Sequence, residues 1–415
     1  MSKIYVAPSP FLKGTVRASG SKNASLPLMA CCLLSEETSA LEEIPKLRDI
    51  KAMSEILESM GVEVSRYKTN LKISPGNLQN CTPPYELVSQ LRGSFLIAGP
   101  LLAKYGKVKI SLPGGCRIGT RPVDLHLKGF AALGAKIEQV HGCIEASAKQ
   151  LYGGRVYLDV PSVGATENIM MAGTLAKGNT TIENASIEPE VVDLAKCLKE
   201  MGALIEGEGT DTIVITGVDK LSGAHHTVIP DRIEIGTFMV ASVLTKGDIC
   251  IENVILDHLN PTTAKLKEMG VHIIEGENTI RVVADSEIKA TNVKTMPFPG
   301  FPTDMQASFM ALMSVVKGTS VIVETIYENR FMQAAELCRM GANIKTEGQT
   351  AVVEGVTALT GAKVNATDLR SGAALILAGL AGKGDTEIGE IAHIERGYDN
   401  IVGKLQGLGA KIEKK

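Results

Sequence analysis

A Met/Leu-Gly-Ala/Val triplet recurs six times along the chain: Met60-Gly61-Val62, Leu133-Gly134-Ala135, Met201-Gly202-Ala203, Met269-Gly270-Val271, Met340-Gly341-Ala342 and Leu408-Gly409-Ala410. Its glycines are separated by 73, 68, 68, 71 and 68 residues. Self-similarity at a nearly fixed period means one supersecondary unit used repeatedly, so the fold must be sixfold in content. A second landmark keeps a similar beat. Lys177-Gly178, Lys246-Gly247, Lys317-Gly318 and Lys383-Gly384 each follow a run of small residues and Leu, and each opens a β-like segment such as Cys250-Ile251-Glu252-Asn253. The runs carry apolar residues at helical spacing, as in Phe309, Leu312, Met313 and Val316, and Gly past such a run reads as a helix C-cap.

Another amphipathic helix precedes each triplet, for example Val192, Leu194, Ala195, Leu198 and Met201, and alternating strands follow it, as in Thr212-Ile213-Val214-Ile215. Each unit therefore reads helix, strand, helix, strand, strand, with one more strand entering it. The class is α/β. Three such units packed together bury their helices centrally and leave their sheets outside. Six units of roughly 69 residues fill the chain as two groups of three. The boundary falls near Val228-Ile229-Pro230, giving one domain over residues 22–229 and a second over 1–21 plus 230–415. The extended segment 3–18 is expected to complete a sheet of the sixth unit. A cleft between two such lobes is a preferred place for a ligand.

Composition narrows the partners. Aromatic residues make up 4% and Trp is absent, so the cores must be aliphatic. A formal charge of −3 argues against a nucleic-acid binder, which needs a basic footprint. The start of the chain has no apolar leader and no run is long enough to cross a bilayer, so the expected location is the cytoplasm. Eight cysteines sit at irregular intervals without C-x-x-C pairs, indicating neither zinc nor a disulfide frame. The adjacent Cys31 and Cys32 read as core thiols.

Chemistry concentrates in Pro113-Gly114-Gly115-Cys116-Arg117-Ile118-Gly119-Thr120-Arg121-Pro122-Val123-Asp124-Leu125-His126. Glycines give this loop freedom, and positive charge beside a cysteine favours the reactive thiolate. The stretch reads as a mobile, anion-facing lid with an active thiol, or else as a surface turn with a free Cys. Asp231, Asp304 and Asp368 occupy equivalent helix starts, where Asp is a preferred N-cap. For Asp304, the approach Pro299-Gly300-Phe301-Pro302-Thr303 also suits rigid presentation of a carboxylate, so capping and functional readings both stand. Lys22 and Arg92 sit at comparable starts in the first half, where a helix N-terminus already attracts anions. Arg330, Arg370 and Arg396 each read alone as solvated or salt-bridged residues. Lys22, Arg121, Arg370 and Arg396 converging on one cleft would instead make a pocket for a phosphate- and carboxylate-bearing ligand. Neither a P-loop nor a dinucleotide-binding fingerprint is present.

Several long motifs match one family jointly and end to end. They are Ser19-Gly20-Ser21-Lys22-Asn23-Ala24, the loop at 113–126, Ser162-Val163-Gly164-Ala165-Thr166-Glu167-Asn168, Pro230-Asp231-Arg232-Ile233-Glu234, the stretch at 299–306, Glu328-Asn329-Arg330-Phe331 and the stretch at 393–398. In them the chain resembles the UDP-N-acetylglucosamine 1-carboxyvinyltransferases, a family of enolpyruvyl transferases. The resemblance implies an inside-out α/β barrel of two three-unit domains, with the active site in the cleft between them. It implies transfer of the enolpyruvyl group of phosphoenolpyruvate to the sugar 3′-hydroxyl, with release of phosphate, at the start of peptidoglycan precursor synthesis. Carried over by position, Cys116 is the proton donor and can add covalently to phosphoenolpyruvate, and Asp304 is the base at the sugar hydroxyl. Lys22, Arg121 and Arg396 hold phosphate, with Asn23 nearby and Arg370 near the carboxylate. Arg330 joins the substrate-binding set. The nucleotide sugar falls to Arg92, Arg121, Pro122, Val123, Asp124, Leu125, Ser162, Val163, Gly164, Asp304 and Ile326. The reaction breaks a C–O bond, so no metal or cofactor is expected, and no obligate protein partner is evident. The nearest rival is a 3-phosphoshikimate 1-carboxyvinyltransferase-like enzyme. A non-catalytic protein that binds the nucleotide sugar is the alternative of another class.

Overall fold

The recurring glycine has one backbone job in all six copies. Gly61, Gly134, Gly202, Gly270, Gly341 and Gly409 all have φ between +89° and +101°. Each follows the last turn of a helix, the six ending at Ser59, Ala132, Glu200, Glu268, Arg339 and Gly407. A left-handed residue just past the C-cap satisfies the last carbonyls, and Gly adopts it without a Cβ penalty. Gly202 N–H, for example, bonds the Lys199 carbonyl at 2.9 Å. The Lys-Gly landmark behaves differently. The preceding helices end at Gly173, Leu244, Met313 and Ala381, so Lys-Gly forms the turn that opens the next strand rather than the cap itself. At the second copy the left-handed residue is Lys246, and Gly247 serves close approach, since a Cβ there would lie 2.3 Å from the Leu12 carbonyl oxygen.

The computed structural model describes residues 2–112, 118–119 and 122–415. The chain forms two compact units, one holding residues 2–19, 118–119 and 230–415, the other 20–112 and 122–229. In the described residues the strands form five four-stranded sheets and one three-stranded sheet. The repeating pattern is an antiparallel hairpin, one further antiparallel partner and a parallel strand at its side. Asn179–Glu183 pairs antiparallel with Thr212–Thr216, which pairs with Leu204–Glu206, while Arg155–Tyr157 runs parallel to the first. The N-terminal segment divides its service. Ile4–Val6 lies antiparallel between Thr386–Gly389 and Ile412–Lys414 of the sixth repeat. Lys13–Arg17 instead runs parallel to Asp248–Glu252 of the fourth, where Asp248 N–H bonds the Leu12 carbonyl. The expected service to the sixth unit is thus met by Ile4–Val6, and Lys13–Arg17 adds a strand to the fourth.

Helices that are apolar on every side must be enclosed. Arg232–Leu244 has 12 of its 13 residues buried, Gln306–Met313 all eight, and Leu369–Ala381 11 of 13; these three pack on one another inside one unit. In the other unit Ala98–Tyr105 packs on Val163–Gly173, and the mostly buried Lys22–Cys31 packs on the segment Arg92–Ile97 and the helix Pro189–Glu200. The helices before each triplet bury one face only, as Arg48–Ser59 does with Ile50, Met53, Ile56 and Leu57. Each unit has its own core, built almost wholly of Leu, Ile, Val, Met and Ala. Cys31 and Cys32 are fully buried within it, and Cys31 Sγ lies 3.8 Å from Cys197 Sγ. In the unit of residues 230–415, the start of Leu369–Ala381 meets the turn before Gln306–Met313, where Arg370 reaches Asp304.

Candidate active site

In the unit of residues 20–229, the first central helix begins at Lys22. Ser21 caps it by accepting from the Ala24 N–H at 3.3 Å, and Asn23 is the second helical residue. Lys22 Nζ stands 2.9 Å from Asp49 Oδ2, a buried carboxylate on the flanking helix. Sequence reasoning missed Asp49, because an acidic residue in a first helical turn reads as a partner of the helix dipole. Arg92 opens the 3-10 segment Arg92–Ile97. Pro122 and Val123 lead into the helix Asp124–Ala132, which carries Leu125 in its first turn. Ser162 caps the helix Val163–Gly173 through the Ala165 N–H, leaving Val163 and Gly164 as its first two residues. These segments meet at His126. Its ring edge lies against Gly164, its Nδ1 is 2.9 Å from Asn168 Nδ2, and its ring stacks edge-on to Phe95 at 5.1 Å. Burial, with the Arg92 charge behind it, lowers the imidazole pKa from 6.5 to about 3.

In the other unit, Asp231 and Asp368 are helix caps. Asp231 Oδ1 accepts from Ile233 and Glu234 N–H, and Asp368 shares a reciprocal capping box with Ser371. Asp304 is not a cap. It sits inside the 3-10 turn Thr303–Met305, and both its oxygens are taken by arginines: Arg330 Nη2 at 2.6 Å on Oδ1 and Arg370 Nη2 at 2.9 Å on Oδ2. Burial pushes the carboxyl pKa upward, but Arg370 and Arg330 outweigh it and hold the group well below the usual carboxylate range. The capping reading is therefore corrected for this one aspartate. Arg370 is 2% exposed and lies 5.3 Å over the Tyr398 ring, whose hydroxyl is 3.1 Å from Thr237 Oγ1. Its Nε and Nη1 are buried with no hydrogen-bond partner in the described structure. Arg370 and Arg330 are thus buried cations rather than solvated ones, and Arg396 follows in the 3-10 turn Ile394–Arg396.

A second group missed from sequence organises this region. Glu324, fully buried at a strand end, accepts from Thr295 Oγ1 and Ile326 N–H at 2.9 Å and from Tyr327 N–H at 3.2 Å; its other oxygen accepts from Thr303 Oγ1 at 2.9 Å. One carboxylate therefore ties the turn bearing Asp304 to the loop bearing Ile326. In sequence it closes an alternating strand, and nothing local marks it. Cys116 and Arg121 lie outside the described residues. Of the loop around them, the Ile118 carbonyl accepts from the Asn329 N–H at 2.9 Å, next to Arg330. Among the described residues no group of three His, Cys, Asp or Glu is placed to hold a metal ion, and no helix is long and apolar enough to cross a membrane.

The model of EPSP synthase (3-phosphoshikimate 1-carboxyvinyltransferase) matches this chain over residues 6–405. The chain belongs to this family. Within the family it is 57% identical to UDP-N-acetylglucosamine 1-carboxyvinyltransferase 1 of Caldanaerobacter subterraneus, with all of both chains covered. It is 55% identical to UDP-N-acetylglucosamine 1-carboxyvinyltransferase 2 of Carboxydothermus hydrogenoformans, over 100% of this chain and 99% of that one. Among solved structures, the enolpyruvyl transferase NikO of Streptomyces tendae superposes with a TM-score of 0.91 at 24% identity, covering 100% of this chain and 99% of that chain. An EPSP synthase of Acinetobacter baumannii superposes at 0.80 and 20% identity over the whole of both chains. At such identities the structures establish the family's mixed α/β fold for this member, and the fold alone.

Proposed function

We propose that this chain transfers the enolpyruvyl group of phosphoenolpyruvate to the 3′-hydroxyl of UDP-N-acetylglucosamine by addition and elimination, releasing phosphate. The observation that carries the reading is end-to-end identity above 50% to relatives bearing that name, against 20% to an EPSP synthase structure. The reaction is the first committed step of peptidoglycan precursor synthesis, and we place it in the cytoplasm. The enclosed apolar helices and repeated sheets support an inside-out α/β barrel.

Addition needs a proton delivered to the enol CH₂ carbon and another removed from the sugar hydroxyl; elimination reverses that traffic. A thiol acid and a carboxylate base divide the work. Cys116 is assigned the first role, and also covalent capture of phosphoenolpyruvate, and Asp304 the second. Lys22, Arg121 and Arg396 take the phosphate, with Asn23 beside them, Arg370 takes the carboxylate, and Arg330 belongs to the substrate-binding set. Arg92, Pro122, Val123, Asp124, Leu125, Ser162, Val163, Gly164 and Ile326 hold the nucleotide sugar. Offsetting the charge of the donor is the largest electrostatic task. The arginine pair on Asp304 supports this allocation and adds a condition. A carboxylate held this acidic is a weak base, so Asp304 must lose at least one arginine before it can accept a proton. A substrate carboxylate is the natural competitor for those guanidinium groups.

The test is mass spectrometry of the products from phosphoenolpyruvate and UDP-N-acetylglucosamine, with phosphate release measured alongside. A nucleotide sugar heavier by one enolpyruvyl group, with one phosphate released per transfer, is expected. Transfer to 3-phosphoshikimate in its place would install the rival reading, and nucleotide-sugar binding without turnover the non-catalytic one.

A further inference from the structure

The hydrogen bonds around Asn168 settle where the proton of a buried imidazole sits. Asn168 is fully buried. Its Oδ1 accepts the Gly99 N–H at 2.8 Å, so the opposite atom is the amide nitrogen. That nitrogen donates one proton to the Phe95 carbonyl at 3.0 Å and the other to His126 Nδ1 at 2.9 Å. A donor facing Nδ1 requires a lone pair there, which leaves the ring proton on Nε2. The ring cannot turn over to exchange the two nitrogens without breaking this bond and its edge-on contact with Phe95.

Nε2 points to a specific place. A Cβ built on Gly164 would lie 3.1 Å from His126 Cε1 and 3.4 Å from Nε2, so the ring edge stands directly beside the second residue of Val163–Gly173. The first amides of a helix have no intrahelical acceptor and favour an anion. Ser162 Oγ satisfies only the Ala165 N–H. Among the described residues, Nε2 has no acceptor, although His126 is only 9% exposed.

We propose that Asn168 is a positioning residue that fixes His126 as the Nε2–H tautomer, and that this N–H joins the first amides of Val163–Gly173 in donating to a phosphate oxygen of the nucleotide sugar. The inference rests on the reading of Ser162, Val163 and Gly164 as part of the nucleotide-sugar site. A neutral donor adds direction without further positive charge, and the low imidazole pKa keeps it neutral at working pH.

Nitrogen-15 NMR of histidine-labelled protein tests the tautomer without any substitution. At neutral pH the His126 signals should show a protonated Nε2 and an unprotonated Nδ1. Adding UDP-N-acetylglucosamine should move the Nε2 resonance, and adding uridine, which lacks phosphate, should leave it in place. A proton on Nδ1, or an Nε2 signal indifferent to the nucleotide sugar, overturns the proposal. His126→Phe should weaken UDP-N-acetylglucosamine binding by about ten- to a hundredfold, the worth of a hydrogen bond to a charged group, with uridine binding unchanged. His126→Gln, whose amide N–H can stand in for Nε2–H, should recover most of the loss. Gly164→Val separates the two layers of the argument. If it weakens nucleotide-sugar binding while His126→Phe does not, the histidine's role fails and the site stands; if neither does, both fail.

Discussion

Asp304 and Arg370 are joined at 2.9 Å across sixty-six residues of sequence, and Arg330 closes the same carboxylate from its other oxygen at 2.6 Å. Both guanidinium groups are almost fully buried. Taking away one member of a buried pair leaves uncompensated charge, which is costlier than the pair itself is stabilising. Asp304→Asn should therefore lower stability by about 3 kcal/mol in urea denaturation. Turnover should fall by about a hundredfold or more if the carboxylate is the base. A variant that is destabilised but turns over normally would remove Asp304 from the chemistry.

Arg370→Lys keeps the charge but loses the planar fork that holds a carboxylate at two points. Steady-state kinetics should show KM for phosphoenolpyruvate rising by about tenfold while KM for the nucleotide sugar stays near its original value. An equal rise in both would mean that Arg370 supports the fold rather than the donor.

Cys116→Ser substitutes a far weaker acid for the thiol. Turnover at neutral pH should drop by about two orders of magnitude or more. An epoxide-bearing phosphonate should label the parent protein and leave the variant unlabelled in intact-mass spectra. Labelling of the variant would reassign the nucleophile.

Two histidines of one unit should give stability profiles of opposite slope. His126 stays neutral when folded, its pKa near 3, while the unfolded chain takes up a proton as pH falls through 6.5. The unfolded state then holds more protons, so stability declines from pH 6.5 towards 3, by up to about 1.4 kcal/mol per pH unit. His126→Gln should flatten that limb in denaturation curves. His226 faces carboxylates at both nitrogens, Asp193 at 3.0 Å and Glu200 at 2.9 Å. Burial opposes its charge, but the two acids outweigh burial and raise its pKa. Its contribution is full below 6.5 and fades as pH rises through the folded value. His226→Gln should thus cost more stability at about pH 6 than at about pH 9. A pH-independent difference would mean the ring is neutral.

What was legible from the residues was whatever the chain repeats. The sixfold glycine is visible because a left-handed turn imposes the same residue each time, and Asp231 and Asp368 cap because capping is decided within three residues. Asp304 looks like its two counterparts in sequence and differs because Arg330 reaches it from twenty-six residues on and Arg370 from the next repeat. Glu324 and Asp49 were hidden for a related reason. Each fits the local pattern of its own strand or helix, and its partners come from elsewhere. The second service of the N-terminal segment, to the fourth repeat, was not legible because strand pairing over more than two hundred residues leaves no local trace.

The first residues of the chain are hydrogen-bonded to the last: Lys3 and Lys415 exchange both backbone bonds, at 2.7 and 2.9 Å. A ribosome delivers these partners far apart in time. The contiguous block 20–229 has all its pieces early, whereas in the other unit Ile4–Val6 gains its second neighbour, Ile412–Lys414, only after everything between them has been made. That asymmetry makes the unit holding residues 230–415 the late-maturing half.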